Sequence, residues 1–328
     1  MRRPLLKLIL AALAWPLSLL VAIPIYEVVL EYFTPVGRQP PNLERIQHKL
    51  HHPVAVHALQ QYAKLPKARQ EEIKASLEAT ITDVGTWTQR LEKTKSWTLC
   101  IGEQHDEHTR YFLAKELLPR LTPQVMMLET TPDGLAEMEK LILKGEAYVP
   151  LLKADISAIM RGYWARDPDF TYFGIEETSM QKDARDRTGK GSRDQNITRN
   201  FFANYQKEGR NIVLIGALHC RNNPGWLYRY LELGLPETPG GKPVGGALIN
   251  VLVIGEHQDG PAEAFVYFLD EIGLKPKSFA IAEADKLDPW IWDTFALFAD
   301  QSFRPYSNII IFRFEGQAPD RAEKARSG

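Results

Sequence analysis

From Trp97 to Phe314, short apolar runs alternate with amphipathic stretches, and this alternation is the strongest restriction on what the chain can fold into. Runs of four to eight apolar residues read as buried strands, and the helical-period stretches between them read as crossovers. The expected fold class is therefore α/β, a mostly parallel sheet flanked by helices. The candidate strands are Trp97–Ile101, Val125–Leu128, Thr171–Ile175, Ile212–Ile215, Ala247–Ile254 and Asn308–Phe314, with Ala264–Phe268 as a weaker one. Two helices have readable ends. Gly134 to Lys144 carries Leu135, Met138, Leu141 and Ile142 on one face, with Gly145 placed to stop it. Ser192 is placed to N-cap a helix in which Ile197, Phe201 and Tyr205 recur every four residues, ending at Gly209. The intervening Lys182–Lys190, dense in both signs of charge, reads as a mobile loop and a candidate lid.

What precedes the sheet is different in kind. Arg2 and Arg3 are followed by residues 8–26 without a charge, long enough as a helix to reach ~28 Å against a ~30 Å hydrocarbon core. Pro16 and Pro24 lie within it, and proline is tolerated in membrane helices. A signal peptide would share the basic start and the apolar middle, but no A-x-A cleavage pattern follows. We therefore read residues 1–31 as an uncleaved anchor in the lipid bilayer. The arginines stand on one side, with Glu27 and Glu31 on the other. That asymmetry places the body outside the cytoplasm, in a periplasmic or extracellular location. Residues 32–95 follow as a Pro-rich spacer (Pro35 to Pro41) and a helical lead-in, where Ile73, Leu77 and Ile81 repeat every four residues. Residues 96–316 form the α/β body and 317–328 a polar tail.

Composition narrows the partners. The 328 residues hold 40 Lys+Arg against 41 Asp+Glu, so no bulk positive charge is available to hold nucleic acid. Two cysteines, Cys100 and Cys220, exclude a disulfide scaffold and a Cys-rich zinc module. Cys220 reads as a free thiol beside a site; a bridge to Cys100 needs close Cα atoms, which sequence does not show.

The chemistry collects at strand ends, where parallel sheets place their ligand crevices. Gly102-Glu103-Gln104-His105-Asp106 follows the first strand, Glu129 the second, Glu176 the third, and Gly216-Ala217-Leu218-His219 the fourth. Two histidines, several carboxylates and the nearby Arg193 suit general acid–base catalysis or a divalent metal. Glu176 and Asp106 are candidate substrate contacts. Arg193 stands out because a cation in a first helical turn opposes the helix dipole, and the adjacent Asp194 offsets it.

These segments, Ile101-Gly-Glu-Gln-His105, Leu128-Glu129, Gly174-Ile-Glu176, Ser192-Arg193-Asp194 and Gly216-Ala-Leu-His219, resemble the superfamily joining erythromycin esterases, ChaN-like haem-binding lipoproteins and TraB/Tiki proteins. Gly225 to Gly234 also resembles the TraB/Tiki pattern. The resemblance covers roughly Trp97 to Gly234 and implies a catalytic crevice that takes a small-molecule or peptide substrate. In esterase-like members the first G-x-x-H histidine activates water, a role that falls on His105. Glu103 and Glu129 would orient it, Arg193 would bind an oxyanion or substrate carboxylate, and His219 would be a second acid–base group. In Tiki-like members the same positions serve a metal-dependent peptidase, with His105, Glu129 and His219 as ligands. In ChaN-like members the fold binds haem without need of catalysis.

Weaker features read as structure. His108 reads as a solvated first-turn residue, Glu256-His257-Gln258-Asp259 as a chance echo of Glu103 to Asp106, and His48, His51, His52 and His57 as surface histidines. Trp290, Trp292, Phe295 and Phe298 read as core.

Overall fold

The computed structural model describes residues 54–136, 162–235, 243–256, 260–295 and 304–313. The anchor run 8–26, the Pro35 to Pro41 spacer, His48, His51, His52, His257, Phe298 and the tail 317–328 lie outside the described residues. Among the described residues no helix is long and apolar enough to cross a membrane.

After a helical segment at 54–64, the chain runs through α1 (Lys67–Thr80), β1 (Ile81–Asp83), α2 (Val84–Glu92), β2 (Trp97–Glu103), α3 (Glu107–Phe112), β3 (Val125–Leu128) and β4 (Thr171–Gly174). It continues through α4 (Ser179–Thr188), α5 (Arg193–Asn204), β5 (Arg210–Gly216), a 3-10 turn (Ala217–Cys220), α6 (Leu227–Leu233) and β6 (Ala247–Gly255). Then come α7 (Gly260–Glu271), β7 (Phe279–Ile281), α8 (Pro289–Thr294) and β8 (Asn308–Phe312).

The eight strands form one sheet in the order β1-β7-β8-β6-β2-β5-β3-β4. Every neighbouring pair from β8 to β4 is parallel, and only β7 runs antiparallel, to both β8 and β1. The mostly parallel sheet expected from the alternation is present. β2 lies between β6 and β5, with Ile101 opposite Val251 on one side and Leu214 on the other. The chain leaves β2 for β3 and β4, returns to insert β5 between β2 and β3, and then crosses β2 to reach β6. Such reversals open the crevice beyond the strand ends.

Period two sorts the strand side chains between two cores. Cys100, Val213 and Ile215 face one, with Ile73 and Leu77 of α1, Phe201 of α5, Leu231 of α6 and Phe268 of α7. Leu99, Ile101, Ile212 and Leu214 face the other, with Trp87 of α2 and Phe112 of α3. Both faces are covered, which is why the strands read as continuous apolar runs rather than alternating ones. α1 thus packs on the sheet, and Arg69 forks onto Asp288 at 2.8 and 2.6 Å to join α1 to the N-cap of α8.

Several expectations change. Ala264–Phe268 is not a strand but part of α7, with Ala264, Phe265, Val266 and Phe268 all buried; a short apolar run does not distinguish a buried strand from a buried helix. Lys182–Lys190 is not a loop up to Thr188 but most of α4. That helix buries nothing, so it carries no apolar stripe. Its ends hold it instead: Thr178 and Gln181 form a capping box and Gly189 closes it at φ 62°. The Ser192-capped helix stops at Asn204, short of Gly209, where Tyr205 turns extended and its hydroxyl accepts the Gly245 N–H at 2.7 Å. The lead-in is not wholly helical, since Ile81 opens β1. β1 and β7 have three residues each, too few to show a period. Of the Gly134–Lys144 helix, residues 132–136 are helical and the remainder lies outside the described residues.

Cys220 is not a free thiol. It is joined to Cys100 of β2, with Cα atoms 5.6 Å apart, and closes a loop across 120 positions.

Candidate active site

The crevice is built from four strand ends. β2 delivers Glu103 and, through the turn after it, His105. Glu129 directly follows β3, Glu176 follows β4 by two residues, and His219 sits in the 3-10 turn after β5. The first turn of α5 adds Arg193 and Asp194. Residues spread over more than a hundred positions meet because parallel strands all end on the same edge.

His105 adopts φ 57°, left-handed backbone that is uncommon outside glycine and in which His, Asn and Asp are enriched. The conformation is held by the buried Glu103, whose Oε2 accepts the His105 N–H at 3.2 Å while Oε1 lies 2.6 Å from Nδ1. The opposite nitrogen, Nε2, faces the crevice 3.5 Å from Glu129 Oε2, on a side chain that is 53% exposed. The bond to Glu103 lifts the imidazole pKa above its usual value, burial works against this, and the charges of Glu103 and Glu129 add to the rise. With Nδ1–H given to Glu103, a neutral His105 presents its lone pair on Nε2, the nitrogen on the Glu129 side of the ring.

A pH dependence follows. Only neutral His105 accepts a proton, so activity that uses it as a base rises as pH passes its pKa. The acidic limb should therefore have its midpoint above the unperturbed value of ~6.5. Glu103→Gln removes the charge that raises this pKa, and should move the midpoint down towards ~6.5. A pH–rate profile of both proteins checks this; an unmoved limb would assign it to another group.

Glu129 is the junction of the crevice. Its Oε2 accepts the Gly216 N–H at 2.7 Å and its Oε1 accepts Arg193 Nη2 at 2.8 Å. Burial disfavours its charge, but the Gly216 amide, the guanidinium and the two histidines outweigh that and hold the carboxyl below the usual range. Arg193 Nε donates to Glu176 Oε1 at 2.8 Å, Nη2 to Glu176 Oε2 at 2.5 Å, and Nη1 lies 3.1 Å from His219 Nε2. Its pKa is raised, first by the Glu176 bond. Arg193 is thus a strut across three strand ends, which answers its position against the helix dipole. His219 is buried, with Nδ1 2.5 Å from Asp194 Oδ1 and its ring edge-on to Trp226 at 5.7 Å.

The two glycines of the G-x-x-H segments interlock. A Cβ on Gly102 would stand 2.9 Å from the Cα of Ala217, so the first motif needs glycine for the second motif's turn to pack on β2. A Cβ on Gly216 would stand 2.6 Å from Nε2 of His105, so the second needs glycine for the first motif's ring to enter. Gly216→Ala meets the far end of a half-exposed side chain, which can move aside. We expect stability to change by less than about 1 kcal/mol and turnover to fall by about 10-fold or more as the ring is displaced. Thermal melts beside rate measurements check this, and full activity would mean that the ring position is immaterial.

The structure thus brings Glu103, His105, Glu129, Glu176, Arg193 and His219 together. Asp106 caps α3, accepting from Thr109 N at 2.8 Å and Thr109 Oγ1 at 2.6 Å. His108 lies in the first turn of that helix, Phe295 is in the core, and Trp290 and Trp292 pack against it half-buried. In the sequence Asp194 shows only as a charge beside Arg193. Its role shows once α5 is placed against the turn of His219.

The same geometry tests the divalent metal. His219 Nε2 and Glu129 Oε1, atoms of two of the three expected ligands, already face Arg193 Nη1 and Nη2. A guanidinium there sets a full positive charge where the metal would bind, so the donor set does not fit. Among the described residues no group of three or more His, Cys, Asp or Glu side chains is arranged to hold a metal.

No protein-family model, curated protein or solved structure matches this chain.

Proposed function

We propose that this chain is a hydrolase in which His105 activates water to cleave an ester, amide or peptide bond. The observation that carries the reading is the His105 dyad. Its Nδ1 is fixed by a buried carboxylate, and its Nε2 lies beside Glu129 on a half-exposed ring. A water on Nε2 gives its proton to the ring as its oxygen attacks the substrate carbonyl. Glu103 and Glu129 stabilise the imidazolium that forms, and the ring then returns the proton to the leaving group. The likeness of both G-x-x-H segments to the erythromycin esterase, ChaN-like and TraB/Tiki superfamily supports the same role for His105.

The proposal places this body on the outer side of a membrane, tethered by residues 8–26. The uncharged run after Arg2 and Arg3 supports the tether. The Cys100–Cys220 bridge supports an oxidising compartment. The test is turnover of ester, amide and peptide panels by the full chain, compared with His105→Asn. Turnover that depends on His105 is expected. A stoichiometric Soret band on haem addition, with no turnover in any panel, would overturn the reading in favour of a haem carrier.

A further inference from the structure

The crevice contains a second dyad whose chemistry differs from that of His105. Arg193 and Asp194 are neighbours in the first turn of α5, yet they take opposite nitrogens of the same ring. Asp194 Oδ1 lies 2.5 Å from Nδ1 of His219, and Arg193 Nη1 lies 3.1 Å from Nε2. A guanidinium only donates, so Nε2 has to accept, and Nδ1 then carries the proton that Asp194 receives. Asp194 is buried, and the same Oδ1 also accepts the Leu227 N–H at 3.2 Å, which fastens it to the start of α6. The Ser192–Gln195 capping box sets the direction of the whole turn.

We infer that Asp194 is a positioning residue that fixes His219 in its Nδ1–H tautomer, making His219 an acceptor that holds Arg193 in place. The consequence reaches His105. Arg193 Nη2 grips Glu129 Oε1, and the other oxygen of Glu129 takes the Gly216 amide and faces His105 Nε2. His219 is therefore not a second general acid or base; its lone pair is engaged. With the proton on Nε2 instead, two donors would face each other and Arg193 would be pushed out. Only the effect on turnover rests on the hydrolase reading; the tautomer stands independently.

Nitrogen-15 NMR of the full chain, with His219 assigned by the loss of its signals in His219→Gln, reads the tautomer directly. The wild-type ring should show a protonated Nδ1 and a bare Nε2. In Asp194→Asn the side-chain amide can either accept from or donate to Nδ1, so the ring should lose its single tautomer and an Nε2–H population should appear beside the Nδ1–H form. Turnover should then fall about 10-fold or more, as expected for an orienting carboxylate. Arg193→Met leaves Asp194 in place and should keep the Nδ1–H form. A doubly protonated or Nε2–H ring in the wild type overturns the inference, as does an unchanged tautomer in Asp194→Asn or a switched one in Arg193→Met. Should Asp194→Asn fail to fold, the wild-type and Arg193→Met spectra still decide. If the wild type turns over no substrate, the hydrolase reading fails and the spectra judge this inference alone.

Discussion

His105→Asn should leave the fold intact and reduce hydrolysis by a factor on the order of 10² or more. The substitution suits this site for a physical reason. Position 105 needs left-handed backbone, φ 57°, and asparagine is among the few residues other than glycine that adopt it readily. The main-chain N–H that Glu103 accepts is retained, and the side chain removed is half exposed and outside both cores. Stability should therefore change by no more than about 1 kcal/mol. What is lost is a basic nitrogen on the crevice side, since an amide cannot take a proton from water near neutral pH. Rates across the substrate panel and urea melts of both proteins check this together. Full activity in a folded variant would place the base elsewhere; loss of folding would make His105 a structural residue.

Replacing both cysteines, Cys100→Ala with Cys220→Ala, should cost about 2–5 kcal/mol of stability. The bridge closes a long loop, across 120 positions, and in the chain-entropy view such a crosslink removes much of the unfolded chain's freedom. It also has a local task. Cys100 lies three residues before Glu103, and Cys220 directly follows His219, so the bridge ties the turn of His219 to the strand that bears the His105 dyad. The turn has further anchors in Asn250, which donates to the Cys220 carbonyl at 2.9 Å, and in Tyr306, whose hydroxyl donates to the Ala217 carbonyl. The double variant should therefore lose more stability than turnover. Urea titration analysed by linear extrapolation measures the first, and the substrate panel the second. An unchanged midpoint would mean that the unfolded chain is already held together by other means.

Legibility in the sequence followed the physics of each element. Core strands such as β3 and β6 were readable because burial on both faces demands uninterrupted apolar residues. α5 was readable because Ser192 and the spacing of Ile197 and Phe201 each pointed to a helix. α4 was hidden because it buries nothing and only its caps mark it. α7 does not show as a helix at Ala264–Phe268 because a helix buried on most sides has no polar face to reveal its period. β1, at the sheet edge, and β7, between it and β8, have three residues each, too short a run for the side chains to show a strand period.

The amino-acid sequence alone determined which residue types stand at the carboxyl ends of the strands, because the rise and pleat of a strand place its last apolar residue and the polar residues after it by local rules. His105, Glu129, Glu176 and His219 were therefore legible as neighbours of one edge. Only the tertiary structure decided what each of them touches. Strand order set β5 between β2 and β3, and this brought Gly216 against His105 and put Arg193 between Glu129, Glu176 and His219. It also turned Asp194 from a charge offset into the partner of His219 and joined Cys100 to Cys220. The polar pairings depend on distances of 2.5–3.5 Å between segments far apart in the chain, and such distances arise from packing the helices onto the sheet rather than from any local pattern.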